Sequence, residues 1–159
     1  MTPYNGGMSF EARLRELQLE LPAPPRAMAT YATAVRHREL LYVSGTGPMR
    51  PDGTFVIGRL GADLDVAAGQ AAARLVALAM LATVRAHAGS LDAVVRIVKV
   101  LGFVNATLEF GEHPRVMNGF SDLMVQIFGD AGLAARSAVG APSLPIGIPV
   151  EVEAIFELR

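Results

Sequence analysis

Two short segments near the end of the chain carry the residue types most able to do chemistry. In Ala135-Arg136-Ser137-Ala138-Val139 a single guanidinium stands among small and apolar residues. After a Pro/Gly-rich turn, Pro149-Val150-Glu151-Val152-Glu153 presents carboxylates at alternate positions. Both read as β-strands, in which alternate residues share a face. A fixed cation beside a carboxylate suits a small anionic substrate and a water held next to it. Arg136 shares its strand face with Ala138 and Gly140, which leave open space around it, and this face is expected to lie with Ile155 on the sheet side away from the helices. Residue types alone leave Arg136 open between a structural and a binding role. They leave Glu151 and Glu153 open between a solvated edge and a site. Asn105 and Asn118 read as residues near element ends, with turn or cap roles.

Other chemistries find little support. His37, His87 and His113 lack the spacing and the neighbouring carboxylates of a zinc site and read as surface histidines. Gly45-Thr46-Gly47 runs into Pro48 rather than a helix start, so it is neither a dinucleotide fingerprint nor a phosphate loop. No serine sits in a G-x-S-x-G setting. Cysteine is absent, which removes disulfides, thiolate metal ligands and a cysteine nucleophile together.

The chain has 159 residues, 52% of them hydrophobic, enough for one domain with a full core. Lys+Arg 14 against Asp+Glu 15 leaves a net charge of -1, and aromatics are 6% with no Trp, so nothing favours a nucleic-acid partner or an anionic membrane. The longest apolar run, 75–84, is closed by Arg74 and Arg85 and is short for a membrane span. The start, residues 1–8, lacks the basic and apolar regions of a secretory leader, and a cytoplasmic protein is the expectation.

Which elements position the candidate residues? Ser9 reads as the cap of a short helix over 10–19, ended by the prolines from Pro22 onward. Strands are expected at 31–36 and 40–44, then a glycine-rich loop over 45–61. Asp65 caps a long Ala/Leu-rich helix over 66–87 that Gly89 stops. A β-branched strand follows over 94–104, with Arg96 and Lys99 on opposite faces. A second amphipathic helix runs over 113–128, and strands at 134–141 and 150–158 close the chain. In the last strand Val150, Val152, Ala154, Phe156 and Leu158 form one face, and Glu151, Glu153, Ile155 and Glu157 the other. The order predicts an α+β domain: a mixed sheet with two helices on one face, plus a short N-terminal helix. The half-apolar face left over points to an oligomer.

The chain resembles the Rid family (reactive intermediate deaminase, also called the YjgF/YER057c/UK114 family). Tyr31-Ala32-Thr33-Ala34-Val35 and Leu41-Tyr42-Val43-Ser44-Gly45 match its N-terminal hairpin. Gly89-Ser90-Leu91-Asp92-Ala93-Val94-Val95 matches its turn into the central strand, and Phe103-Val104 that strand's end. Ala135-Arg136-Ser137 through Leu144-Pro145 to Val150-Glu151-Val152-Glu153-Ala154 matches its C-terminal signature. The motifs begin at Tyr31, so residues 1–27 read as an extension with its short helix and 28–159 as the Rid-like domain.

The resemblance implies a chorismate-mutase-like fold, a homotrimer with clefts between subunits, and cofactor-free hydrolysis of 2-imino or 2-enamino acids to 2-oxo acids and ammonia. It implies that Arg136 grips the substrate carboxylate and that Glu151 positions the attacking water. It further places Tyr31, Ser44, Gly45, Asn118, Ser137 and Ala138 in or beside the cleft. Ala138 stands where many members carry a cysteine, and Pro142 where alanine is common. A binding module for small carboxylates or a protein partner, and an endoribonuclease, are the other readings.

Overall fold

The structure, a computed structural model, describes residues 7–159; residues 1–6, most of the polar start weighed above against a leader, lie outside the described residues. The elements are α1 (Phe10–Glu16), β1 (Ala34–His37), β2 (Leu40–Thr46), α2 (Val66–Ala88), β3 (Val94–Asn105), α3 (His113–Phe128), β4 (Ala135–Ala141) and β5 (Val150–Leu158). The strands form one sheet in the order β1-β2-β5-β3-β4; β3 and β4 run parallel and the other neighbours antiparallel. This is the expected α+β arrangement, with α2 and α3 on one face.

The last strand shows why the layers form. Val150, Val152, Ala154, Phe156 and Leu158 are all buried under the helices, while Glu151, Glu153, Ile155 and Glu157 point to the uncovered face. α2 begins where Asp65 accepts a hydrogen bond from Ala68 N at 2.8 Å and ends at Gly89, whose φ of 82° suits a residue without a β-carbon. At 23 residues it is long and apolar enough to cross a membrane, the one such helix among the described residues. Here that apolarity faces the protein's own core, through Val76, Met80, Leu81 and Val84 among others.

α1 is shorter than expected, because Gln18 turns left-handed (φ 53°) and Leu19 N closes back on Leu14 O. It is docked firmly all the same. Leu14 is buried in the core, the Phe10 ring meets Phe128 edge-on at 4.7 Å, and buried Arg13 donates from Nε to Gln126 O at 2.8 Å and pairs with Glu16. From α1 the chain runs without regular structure to β1, which starts at Ala34 rather than residue 31, since Tyr31 N bonds locally to Ala29 O.

Two irregularities matter for the site. On β2, the three-residue step from Val43 to Thr46 matches two residues of β5, a bulge at Ser44-Gly45. On β3 the register also slips, so Arg96 pairs with Glu157 and Lys99 with Ile155. Both cations therefore belong to the uncovered face, not to opposite faces as simple alternation predicts.

Candidate functional site

A cleft of about 390 Å³ opens beside the β2 bulge. The candidate residues Tyr31, Ser44, Gly45 and Glu151 all line it, with apolar walls from Met28, Phe55, Ile146 and Ile148. Ser44 donates from Oγ to Ala32 O at 2.6 Å and from its amide to Thr33 O at 3.0 Å, so the segment before β1 is laced to the bulge. Tyr31 Oη accepts from Met28 N at 3.4 Å. Glu151 lies directly against Gly45: a β-carbon built there would collide with Oε1. Burial pushes the Glu151 carboxyl above its ordinary value, and the neighbouring charge of Glu153 pushes the same way.

Arg136 stands elsewhere. It pairs in register with buried Val100, which pairs with buried Ala154, so its side chain lies on the helix-covered side of the sheet edge. Glu151 pairs with Phe103 and points to the uncovered face. The cation beside a carboxylate that the sequence led us to expect is not formed within one chain. Ala138 and Gly140 likewise turn toward α3, where a β-carbon at Gly140 would press on His113 Nε2, instead of standing with Ile155. Ser137 takes the opposite face and accepts from Lys99 Nζ at 3.2 Å.

What holds Arg136 is informative. Its Nη1 donates to Asn118 Oδ1 at 3.1 Å and Ser121 Oγ at 3.0 Å, and its Nη2 to Pro114 O at 3.3 Å. All three acceptors are neutral. A guanidinium has five N–H donors, so the Nε donor and one Nη2 donor have no partner among the described residues. Adjacent donors of this kind match the two oxygens of a carboxylate. Asn118 is thus an orienting residue inside α3, not an end cap. Ser121, which sequence reasoning missed, lies one turn further along the same helix face. Asn105 does end β3, where Nδ2 donates to Ile148 O at 3.3 Å and steadies the cleft wall. Thr83, Arg26 and Ile146 also line the cleft without having been singled out. Thr83 alone left a signal, a hydroxyl inside an otherwise Ala/Leu-rich helix.

The structure thus brings the candidate residues, Ser137 apart, into two groups. One is the Glu151 cleft; the other is the Arg136–Asn118–Ser121 cluster. Among the described residues no group of three His, Asp or Glu side chains could hold a metal ion.

The profile of a family described as "YjgF/chorismate mutase-like, putative endoribonuclease" matches residues 11–158, beginning inside α1. Protein TCP17 of Trypanosoma cruzi is 43% identical over 149 residues, 93% of each chain. A solved structure from Shewanella oneidensis, described as a "putative endoribonuclease", superposes with a TM-score of 0.91 at 33% identity, covering 95% of this chain and all of that one. RidA of an Antarctic Psychrobacter is 26% identical with a TM-score of 0.61, covering 85% of this chain and 94% of its own. With its chorismate-mutase-like α+β fold and this match along nearly its whole length, the chain belongs to the YjgF/Rid family.

Proposed function

We propose that the protein is a cofactor-independent hydrolase of 2-imino and 2-enamino acids, working as a homotrimer in the cytoplasm. The observation that carries this reading is Arg136: a guanidinium held by neutral acceptors, with two adjacent donors left for an incoming carboxylate. Glu151 supports it from the other side, as a carboxylate of raised pKa in an otherwise largely apolar cleft. One small substrate cannot touch both within a single chain, because the sheet lies between them. Assembly of three copies through the uncovered face, which carries Tyr42, Leu101, Phe103 and Ile155, would bring one copy's Arg136 to the next copy's cleft.

In that site Arg136 fixes the substrate carboxylate by a two-point contact. Glu151 orients a water onto the imine carbon and accepts one of its protons. The C–O bond forms as the C=N π pair moves to nitrogen, which takes up a proton. The hydroxyl proton of the tetrahedral intermediate then passes by way of Glu151 to the amine nitrogen, and the C–N bond breaks to release ammonia as the C=O bond closes, leaving the 2-oxo acid. Most of the acceleration comes from positioning, since an imine is already electrophilic. Tyr31, Ser44 and the main chain at Gly45 shape the cleft around this water, and Asn118 keeps the guanidinium aimed. Ala138 keeps the space beside the guanidinium open on the covered face, and Ser137 next to Arg136 on β4 faces the neighbouring copy on the uncovered one.

The test is ammonia and 2-oxo acid release from imino acids generated in situ by an amino-acid oxidase, with spontaneous decay subtracted, alongside light scattering. No release above the spontaneous rate, or a monomer at micromolar concentration, overturns the proposal. The family description favours endoribonuclease as the second reading, and cleavage of a labelled RNA by the same preparation would support it. If neither activity appears while 2-oxo acids bind, the protein is a binding module.

A further inference from the structure

Ile146 has a backbone that its side chain disfavours. Its φ of 51° and ψ of 13° lie in the left-handed region. Gln18 and Arg38 are the other non-glycine residues with positive φ among the described residues, and both carry unbranched polar side chains. A β-branched residue there is an outlier, since its Cβ substituents crowd the following carbonyl. A turn that only had to be made would carry glycine or asparagine at this point.

The conformation is held from several sides. Gly147 N donates to Leu144 O at 3.0 Å, Ile148 N to Pro145 O at 3.2 Å, and Gly58 N to Gly147 O at 3.0 Å. Asn105 Nδ2 adds its bond to Ile148 O. Core packing does not explain the isoleucine, because the residue is 56% exposed. What the strain accomplishes is to present a branched hydrocarbon to the cleft that Phe55, Ile148 and Glu151 also line. Strain of this kind persists where the surroundings over-determine it, and it gathers at ligand sites.

We propose that Ile146 is a specificity-determining residue: a branched wall of the cleft that selects ligands with a branched apolar side chain over those with a methyl group. The inference rests on the proposed function in placing a 2-imino or 2-oxo acid in the cleft. Its test uses 4-methyl-2-oxopentanoate and 2-oxopropanoate as probes, with affinities measured by calorimetry for the full-length parent and for Ile146→Gly, Ile146→Ala and Ile146→Leu.

The parent should prefer the branched acid. Ile146→Gly and Ile146→Ala should lower that preference about tenfold, the scale of discrimination an apolar pocket gives for a missing hydrocarbon contact. Ile146→Leu should largely retain it. Ile146→Gly should melt at or above the parent temperature, because glycine accepts the left-handed backbone without strain. A parent that binds neither acid or prefers neither, an unchanged preference in the glycine and alanine variants, or an Ile146→Gly variant that melts below the parent would each overturn the proposal. The hydrolysis assay separates it from the reading beneath it. A parent that binds selectively without releasing ammonia keeps the wall and loses the hydrolase; a parent that releases ammonia while its alanine variant keeps the preference does the reverse.

Discussion

Gly45→Ala adds one methyl group at the point where the structure has least room for it. The new β-carbon would overlap Glu151 Oε1 and lie 3.0 Å from Cδ and 3.2 Å from Cγ. Carbon atoms rest at about 3.5–4.0 Å, so the carboxyl group must swing aside by roughly 1 Å or more. The backbone has no objection, since Gly45 is not among the glycines of positive φ. Glu151 is only half-buried, and its far end can move. Folding should therefore survive, with a melting temperature within about 2 °C of the parent. Turnover should not. A misplacement of about 1 Å in a catalytic arrangement lowers the rate about 100-fold, or about 2.7 kcal/mol of transition-state stabilisation. Affinity for a 2-oxo acid should change less, because orientation of the attacking water matters most in the transition state. The assay is the oxidase-coupled imine hydrolysis, run beside calorimetry and thermal melting. A variant that melts like the parent and hydrolyses at the parent rate would refute the reasoning, because Glu151 could then not be acting from where it stands.

Arg136→Lys and Arg136→Ala should each weaken 2-oxo acid binding by about 10- to 150-fold, the equivalent of about 1.5–3 kcal/mol for a lost charge-assisted contact. Comparable binding by the lysine variant would remove the two-point clamp. Glu151→Gln should melt higher than the parent at neutral pH. The folded pKa of Glu151 is raised, so the stability tied to its protonated form is complete below the ordinary value of 4.5 and is lost as pH rises through the folded value. The advantage of the glutamine variant should therefore vanish in melts carried out well below that value, and an advantage that persists there would contradict the sign. Arg13→Ala should destabilise the fold by about 2–3 kcal/mol, about 4–12 °C in melting temperature, by removing the bond to Gln126 O and the packing of the buried stem. It should also weaken ligand binding, since α1 anchors the segment that carries Met28 to the cleft; a change in melting alone would separate the helix from the site.

Element types and most boundaries were legible because periodicity and caps are local properties. Asp65 and Gly89 delimit α2 by chemistry within a turn of themselves, and the alternation from Val150 to Leu158 needs no partner to be read. The four residues Tyr31, Ser44, Gly45 and Glu151 do meet in one cleft. Their spacing became readable through family motifs, not through the residue types alone. The relation between strands was not legible. Whether Arg136 and Glu151 share a face depends on the parity of two registers, β4 on β3 and β3 on β5, and a single strand's sequence fixes neither. The bulge that brings Arg96 and Lys99 to one face is hidden for the same reason, since Val98 is as apolar as Ile97 and Val100. Ser121 escaped because a serine on a helix face looks the same with or without a guanidinium above it.

The sheet that divides Arg136 from Glu151 also makes damage to this protein divisible. In the proposed assembly each site draws its guanidinium from one copy and its carboxylate from another, so a chain lacking either group spoils only its own contribution. Arg136→Ala and Glu151→Gln chains, each impaired alone, should regain activity when unfolded and refolded together. In a random 1:1 mixture about a quarter of the sites receive one intact group from each kind of chain. The two alleles would complement in one cell, as lesions in separate genes do, although both lie in the same gene.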